Sequence, residues 1–144
     1  MTDPSACLLL VEDDAVIAAC LRRKLEIHGY EIVSAARGSE AILLLEARAG
    51  ALWCVITDVG CGDAVSGWMI GRRARTLNAQ VKVVYMTGES AAQWAIEGVE
   101  GSVLLQKPFS SDVLIAALAQ LSDGQAAEAL GREQGRVNRR RGSS

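Results

Sequence analysis

Several apolar stretches of this sequence end in a side chain that could take part in metal or phosphate chemistry. Asp58 closes one such run and offers a carboxylate that could act as a nucleophile. Glu12 and Asp13 follow the first apolar run, Thr87 closes a later one, and Lys107 follows the last. Together these residues supply acceptor oxygens, one hydroxyl and one cation, which could bind a metal ion and a phosphoryl group.

Carboxylates that meet at one place repel one another unless a cation neutralises them. Ligands that are all oxygen favour a hard ion, and Mg²⁺ keeps several waters, which leaves room for a phosphoryl oxygen. Lys107 could pair with Asp58 or with that oxygen, and Thr87 could donate its hydroxyl to another. The residue types therefore indicate Mg²⁺-dependent phosphate chemistry, with Asp58 as the favoured nucleophile.

The elements that must position these side chains alternate between strand and helix. Apolar runs of strand length, typical of strands buried on both faces, alternate with segments of helical spacing. This alternation predicts an α/β protein, a parallel sheet covered by helices on both faces, whose carboxyl edge gathers the polar residues. The predicted strands are 7–11, 30–36, 53–58, 81–86 and 103–106, and the predicted helices are 15–28, 38–50, 68–77, 91–97 and 110–121.

Length, charge and cysteine spacing restrict the class of protein. A chain of 144 residues, half of them apolar, fits one domain, and a formal charge of -2 argues against general nucleic-acid binding. Its first residues have neither a signal peptide nor a membrane span, so we expect a cytoplasmic protein. The four cysteines form no C-x-x-C pair, and we expect neither a zinc site nor a disulfide framework.

The periodic pattern stops after Leu121. Residues 123–144 are polar and end in arginines, so we expect one domain over 1–122, with its core at about 6–122, followed by a flexible tail.

The order of these motifs resembles a response-regulator receiver domain of two-component signalling, over about residues 6–122. The resemblance implies a flavodoxin-like (βα)5 fold, a doubly wound parallel five-stranded sheet of order 2-1-3-4-5 with helices on both faces. It implies that Asp58 is the phosphoacceptor and that Glu12 and Asp13 form the acidic pair, with Asp13 touching the metal directly. The cofactor would be Mg²⁺, and the backbone carbonyl of Gly60 would be the remaining metal ligand.

By the same resemblance, Thr87 is the switch hydroxyl and Lys107 the lysine of the phosphorylation site, followed by Pro108 in a cis peptide. The phosphoryl donor would be a histidine kinase or a histidine phosphotransfer protein. No DNA-binding or catalytic segment follows, so we expect a stand-alone receiver that is read by another, unknown protein and catalyses only its own phosphorylation and dephosphorylation.

Two stretches depart from the family pattern. The family usually has a proline a few residues after the phosphoacceptor, where this chain has Gly62. The family also usually has a glycine eight residues after the phosphoacceptor, whereas Gly67 lies nine residues after Asp58. The loop after Asp58 is therefore expected to be longer. Leu104 stands where the family usually has a switch aromatic, so we expect any switch to rely on backbone and packing shifts.

Other interpretations remain open at the level of sequence. The fold could serve as a docking module that works without phosphorylation. A phosphatase with an aspartate nucleophile would need a second aspartate two residues later, where Gly60 stands. Asp14 is best explained as part of a helix amino terminus, and Trp94 could mark a partner surface or pack in the core.

Overall fold

The computed structural model describes residues 6–60, 63–88, 91–122 and 138–139. The strands are β1 (Cys7–Val11), β2 (Glu31–Ala35), β3 (Leu52–Asp58), β4 (Lys82–Thr87), β5 (Val103–Gln106) and β6 (Asn138–Arg139). The helices are α1 (Ala15–Ile27), α2 (Gly38–Arg48), α3 (Gly67–Leu77), α4 (Ala91–Glu97) and α5 (Ser111–Ser122), and a 3-10 turn, Ala49–Ala51, precedes β3.

The strands form one sheet in the order β2-β1-β3-β4-β5-β6. The first five pair in parallel, which confirms the predicted flavodoxin-like order 2-1-3-4-5. Strand β6 was not predicted: it lies in the segment expected to be a flexible tail and pairs antiparallel with β5. The rest of that segment, residues 123–137 and 140–144, lies outside the described residues.

Successive residues of the central strands point to opposite faces, and both faces are apolar. Leu8 and Leu10 of β1 belong to the layer that contains apolar residues of α1 and α5. Leu9 and Val11 belong to the opposite layer, with residues of α2, α3 and α4. This two-sided burial explains why continuous apolar runs, rather than alternating ones, mark the strands in the sequence.

The start of α1 places the acidic pair at the end of β1. The Asp14 side chain accepts hydrogen bonds from the backbone N–H groups of Val16 (2.9 Å) and Ile17 (3.0 Å), so it caps the helix as expected. Since Asp14 belongs to the helix cap, Glu12 and Asp13 occupy the short connection that follows the carboxyl end of β1.

Trp94, which could have marked a partner surface, packs in the core. Its side chain is 8% exposed and belongs to the layer that contains Tyr85 and Leu104. The indole Nε1 donates to Ser102 Oγ at 3.0 Å, and that hydroxyl donates to the Val99 carbonyl at 2.6 Å. The polar atom of the buried ring is thus satisfied, as buried tryptophans usually require.

The β3–α3 loop, residues 59–66, is closed at its base. The Gly67 N–H donates to the Val59 carbonyl at 2.7 Å, and the Val59 N–H donates to the Met86 carbonyl at 2.9 Å. A Cβ at position 67 would collide with the Asp58 carbonyl oxygen and would lie 2.7 Å from Val59 Cα. The backbone beside Asp58 therefore approaches α3 more closely than any side chain would allow.

We expect Gly67→Ala to lower the free energy of unfolding by about 1–3 kcal/mol, because the added methyl group would push the end of β3 away from α3. Gly50→Ala is a suitable control, since no atom of the described residues lies within 4 Å of a Cβ built there. Urea denaturation of both variants measures the difference. Equal stability of the two variants would contradict the close approach at Gly67.

Candidate functional site

Parallel pairing brings the candidate residues to one edge of the sheet. Glu12 and Asp13 follow β1, Asp58 ends β3, Thr87 ends β4, and Lys107 follows β5. The register aligns Val11 with Thr57, Asp58 with Met86, and Thr87 with Gln106, so these strands end at nearly the same level. Carboxylate oxygens of Glu12, Asp13 and Asp58 lie within 4.8 Å of one another.

Lys107 connects two of these carboxylates. Its Nζ lies 2.9 Å from Glu12 Oε1 and 3.0 Å from Asp58 Oδ2, and its backbone N–H donates to the Thr87 carbonyl at 2.7 Å. Burial lowers the pKa of Lys107, but the hydrogen bonds from its ammonium to Glu12 and Asp58 outweigh this, so the pKa lies above its usual value. The Lys107–Pro108 peptide is cis.

Glu12 is the most buried group of the cluster, with a side chain that is 1% exposed. Besides the Lys107 ammonium, Glu12 Oε2 accepts a hydrogen bond from the Asp14 N–H at 3.1 Å. Burial raises the pKa of Glu12 above its usual value, although both hydrogen bonds oppose this shift. An excess of negative charge at this edge is therefore costly, and a cation is favoured there.

The donor set fits a hard divalent ion. Three carboxylates that converge within 4.8 Å supply only oxygen ligands, which is the set that Mg²⁺ accepts. Glu12 is buried, Asp58 is intermediate and Asp13 is exposed, so the cluster opens towards solvent on the Asp13 side. The assignment of Glu12, Asp13, Asp58 and Gly60 as ligands stays a prediction.

Two further residues of the predicted site differ in their surroundings. Gly60 is exposed, and its backbone N–H lies 3.4 Å from Asp58 Oδ1, so the residue is next to the acidic cluster. Thr87 is 3% exposed and ends β4 beside Lys107. Its predicted role as the switch hydroxyl is not tested by this geometry.

The region of the expected switch is filled by buried side chains. Leu104 is 1% exposed and pairs in register with Tyr85 of β4. The Tyr85 hydroxyl accepts a hydrogen bond from the Val99 N–H at 3.2 Å, and its ring lies 4.7 Å from the ring of Trp68. The aromatic side chain beside Leu104 is therefore Tyr85 of β4, and it is held in the core.

The sequence analysis missed one contact near the site. Asp63, in the β3–α3 loop, accepts hydrogen bonds from the N–H (3.1 Å) and hydroxyl (2.8 Å) of Ser39 at the start of α2. These bonds hold the pKa of the exposed Asp63 carboxyl below its usual value. Arg37, the cap residue of α2, makes no side-chain cap bond, and Asp63 supplies an acceptor to the start of this helix instead.

The parallel sheet and the acidic cluster with its lysine define a flavodoxin-like domain with a site suited to phosphate chemistry. Residues 8–119 match the response regulator receiver domain family, and the chain belongs to this family. Its place in two-component signalling, expected from the motifs, is thereby confirmed. Among the helices in the described part of the chain, none has the length and apolar character that a membrane span requires.

Several relatives illustrate this membership. A response regulator receiver protein from Sinorhizobium medicae WSM419 is 32% identical, with a TM-score of 0.79, over 83% of this chain and 96% of that chain. A response regulator protein from Burkholderia pseudomallei, whose crystal structure contains a phosphorylated aspartic acid, a calcium ion and citrate, is 28% identical, with a TM-score of 0.67. This match covers 88% of this chain and 75% of that chain.

Two longer proteins contain a similar segment. The transcriptional regulatory protein TcrA of Mycobacterium tuberculosis is 30% identical over 80% of this chain and 45% of its own length. The sensor kinase CckA of Brucella abortus is 28% identical over 84% of this chain and 13% of its own length. The chain thus spans less than half the length of these curated relatives, and their other activities do not transfer to it.

Proposed function

We propose that this protein accepts a phosphoryl group on Asp58 from a phosphohistidine of a histidine kinase or histidine phosphotransfer protein. The observation that carries this proposal is the Lys107 bridge, in which one ammonium lies 2.9 Å from Glu12 and 3.0 Å from Asp58 at the carboxyl edge of the sheet. A carboxylate oxygen of Asp58 would bond to phosphorus as the P–N bond of the donor breaks, and the imidazole would leave with that electron pair.

The neighbouring residues have distinct roles in this proposal. Glu12, Asp13, Asp58 and the Gly60 carbonyl would hold Mg²⁺, which supplies positive charge to the phosphoryl oxygens when it is bound. Lys107 would shift its contact from the Asp58 carboxylate to a phosphoryl oxygen, and Thr87 would donate its hydroxyl to another. The Burkholderia pseudomallei structure, which contains a phosphorylated aspartic acid and a calcium ion, supports an aspartate as the acceptor and a divalent cation as the cofactor.

Phosphorylation would act through contacts with other proteins. The added charge and acceptor oxygens would draw Thr87 and Lys107 inward, which alters the surface next to α4 and β5. We assign this activity to the receiver domain over about residues 6–122. The absence of an aromatic side chain at Leu104 supports a response made of backbone and packing shifts.

Mg²⁺-dependent uptake of phosphate tests the proposal. Incubation with a phosphorylated histidine kinase and MgCl₂ should transfer one phosphoryl group to the chain, and excess EDTA should prevent this transfer, because the carboxylates then repel the incoming anion. Intact-protein mass spectrometry measures the added phosphoryl group, and lability in base identifies an acyl phosphate. Equal uptake with and without EDTA would contradict the assigned metal role.

A further inference from the structure

The β3–α3 loop carries the only predicted metal ligand that is a backbone atom, the Gly60 carbonyl. Asp58 ends β3, and Glu12 and Asp13 directly follow β1, whereas the Gly60 carbonyl belongs to a loop and is oriented by the backbone on either side of it. Among the described residues, no atom lies within 4 Å of a Cβ built on Gly60, so none of them packs against that side of the residue. Glycine also loses more conformational freedom than other residues when it is fixed.

Within the described part of the loop, residues 59–60 and 63–66, there are two anchors, one on each side of Gly60. The first is at its base, where the Val59 carbonyl accepts a hydrogen bond from the Gly67 N–H and the Val59 N–H donates to Met86. The second is Asp63, whose Oδ2 accepts two hydrogen bonds from Ser39 of α2. Because the chain is held at Val59 and at Asp63, on either side of Gly60, fewer orientations are open to the Gly60 carbonyl.

The second anchor joins the β3–α3 loop to the start of α2. Asp63 Oδ1 accepts a further hydrogen bond from the Val65 N–H at 3.0 Å, so both oxygens of the carboxylate are engaged. Gly38, at the start of α2, is packed so closely that a Cβ there would collide with the Val65 carbonyl and would lie 3.0 Å from Asp63 Oδ1. The loop and α2 thus meet without space for a side chain between them.

We propose that Asp63 is a positioning residue, which anchors the β3–α3 loop to the start of α2 and so holds the Gly60 carbonyl in place for a Mg²⁺ ion beside Asp58. This inference rests on the proposed function, because it concerns the metal that phosphorylation requires. It also gives a physical role to the departure in this loop, which has glycine where the family usually has a stiffening proline. The side-chain anchor would provide the restraint that proline provides elsewhere.

The test measures Mg²⁺ affinity by titrating MgCl₂ into the isotope-labelled full chain and following its amide NMR signals. Asp63→Asn should weaken Mg²⁺ binding on the order of tenfold, as the loss of partners that orient metal ligands usually does. Ser39→Ala should have a smaller effect, because the Ser39 N–H still donates to Asp63. Asp63→Glu keeps the charge but lengthens the side chain, so it should also weaken binding.

Glu46→Gln is the matched control. Glu46 is an exposed carboxylate near the other end of α2 and bonds to Arg73 of α3 at 2.8 Å, so the variant also removes one charge and one contact between two elements. It should leave Mg²⁺ affinity unchanged, while urea denaturation reports the stability of both variants. Wild-type affinity in Asp63→Asn, full affinity in Asp63→Glu, or an equal loss in Glu46→Gln would overturn the proposal.

These outcomes separate the inference from the proposed function. If the wild-type chain takes up a phosphoryl group and Asp63→Asn binds Mg²⁺ as the wild type does, only the positioning role fails. If the wild type binds Mg²⁺ more tightly than Asp63→Asn but takes up no phosphoryl group, only the proposed function fails. A wild-type chain without measurable Mg²⁺ binding would overturn both.

Discussion

Substitution of Asp58 by asparagine is expected to abolish phosphoryl uptake. The amide is nearly the same size as the carboxylate but lacks a nucleophilic oxygen anion, so no acyl phosphate can form at this position. Lys107 would retain its bond to Glu12, and the fold should therefore persist. Incubation with a phosphorylated histidine kinase and MgCl₂, followed by mass spectrometry, measures uptake, and we expect a signal below detection.

Asp112→Asn provides the control for this variant. Asp112 is an exposed carboxylate in the first turn of α5 that pairs with Lys24 at 3.1 Å, and its loss should leave uptake at the wild-type level. Undiminished labelling of Asp58→Asn would rule out Asp58 as the acceptor. Equal affinity of the wild type and Asp58→Asn for a partner protein would instead favour a docking module that works without phosphorylation.

Lys107→Ala is expected to have the second largest effect, on stability as well as on function. It removes the ammonium from Glu12, whose side chain is 1% exposed, and from Asp58, whose side chain is 14% exposed. Because Lys107 is itself 28% exposed, the cost should be about 2 kcal/mol, less than for a fully buried pair. Urea denaturation without Mg²⁺ measures this loss, and phosphoryl uptake should fall as well.

Two comparisons make this expectation specific. Lys24→Ala removes an exposed ion pair with Asp112, and should cost less than about 1 kcal/mol. Added MgCl₂ should recover more stability in Lys107→Ala than in the wild type, since a second cation would then neutralise Glu12 and Asp58. Equal stability of Lys107→Ala and Lys24→Ala without Mg²⁺ would show that the Lys107 bridge contributes little to the free energy of unfolding.

The sheet was predictable because its strands are buried on both faces. Continuous apolar runs identified β1, β3, β4 and β5, and the rule that parallel strands share a carboxyl edge brought Asp58 and Lys107 together. These two residues are 49 positions apart, and the distance of 3.0 Å between their charged atoms follows from topology rather than from local pattern. The spacing of residues in the sequence did not predict that Lys107 also pairs with Glu12.

Contacts between loops and helix ends were not predictable, because the hydrophobic periodicity that identifies helices and strands does not extend to loops. Asp63 has the composition of an ordinary loop residue, and its bonds to Ser39 depend on how two loops meet. Arg75 of α3 is partly buried and donates to the carbonyls of Val81 (2.7 Å) and Glu100 (2.6 Å), and helical periodicity indicates neither contact. Strand β6 consists of two polar residues, Asn138 and Arg139, so no apolar run in the sequence predicts it.

The packing of Trp68 gives the protein an optical reporter of its own. The residue follows Gly67, whose backbone touches the end of β3 at Asp58, and its buried ring lies against Tyr85, two residues before Thr87. A change at either strand end would alter the packing and polarity around the indole, on which its emission depends. Intrinsic fluorescence should therefore follow events at Asp58 without an attached dye. Of the other two tryptophans, Trp94 on α4 lies near the expected signalling surface, and Trp53 stacks on Tyr30.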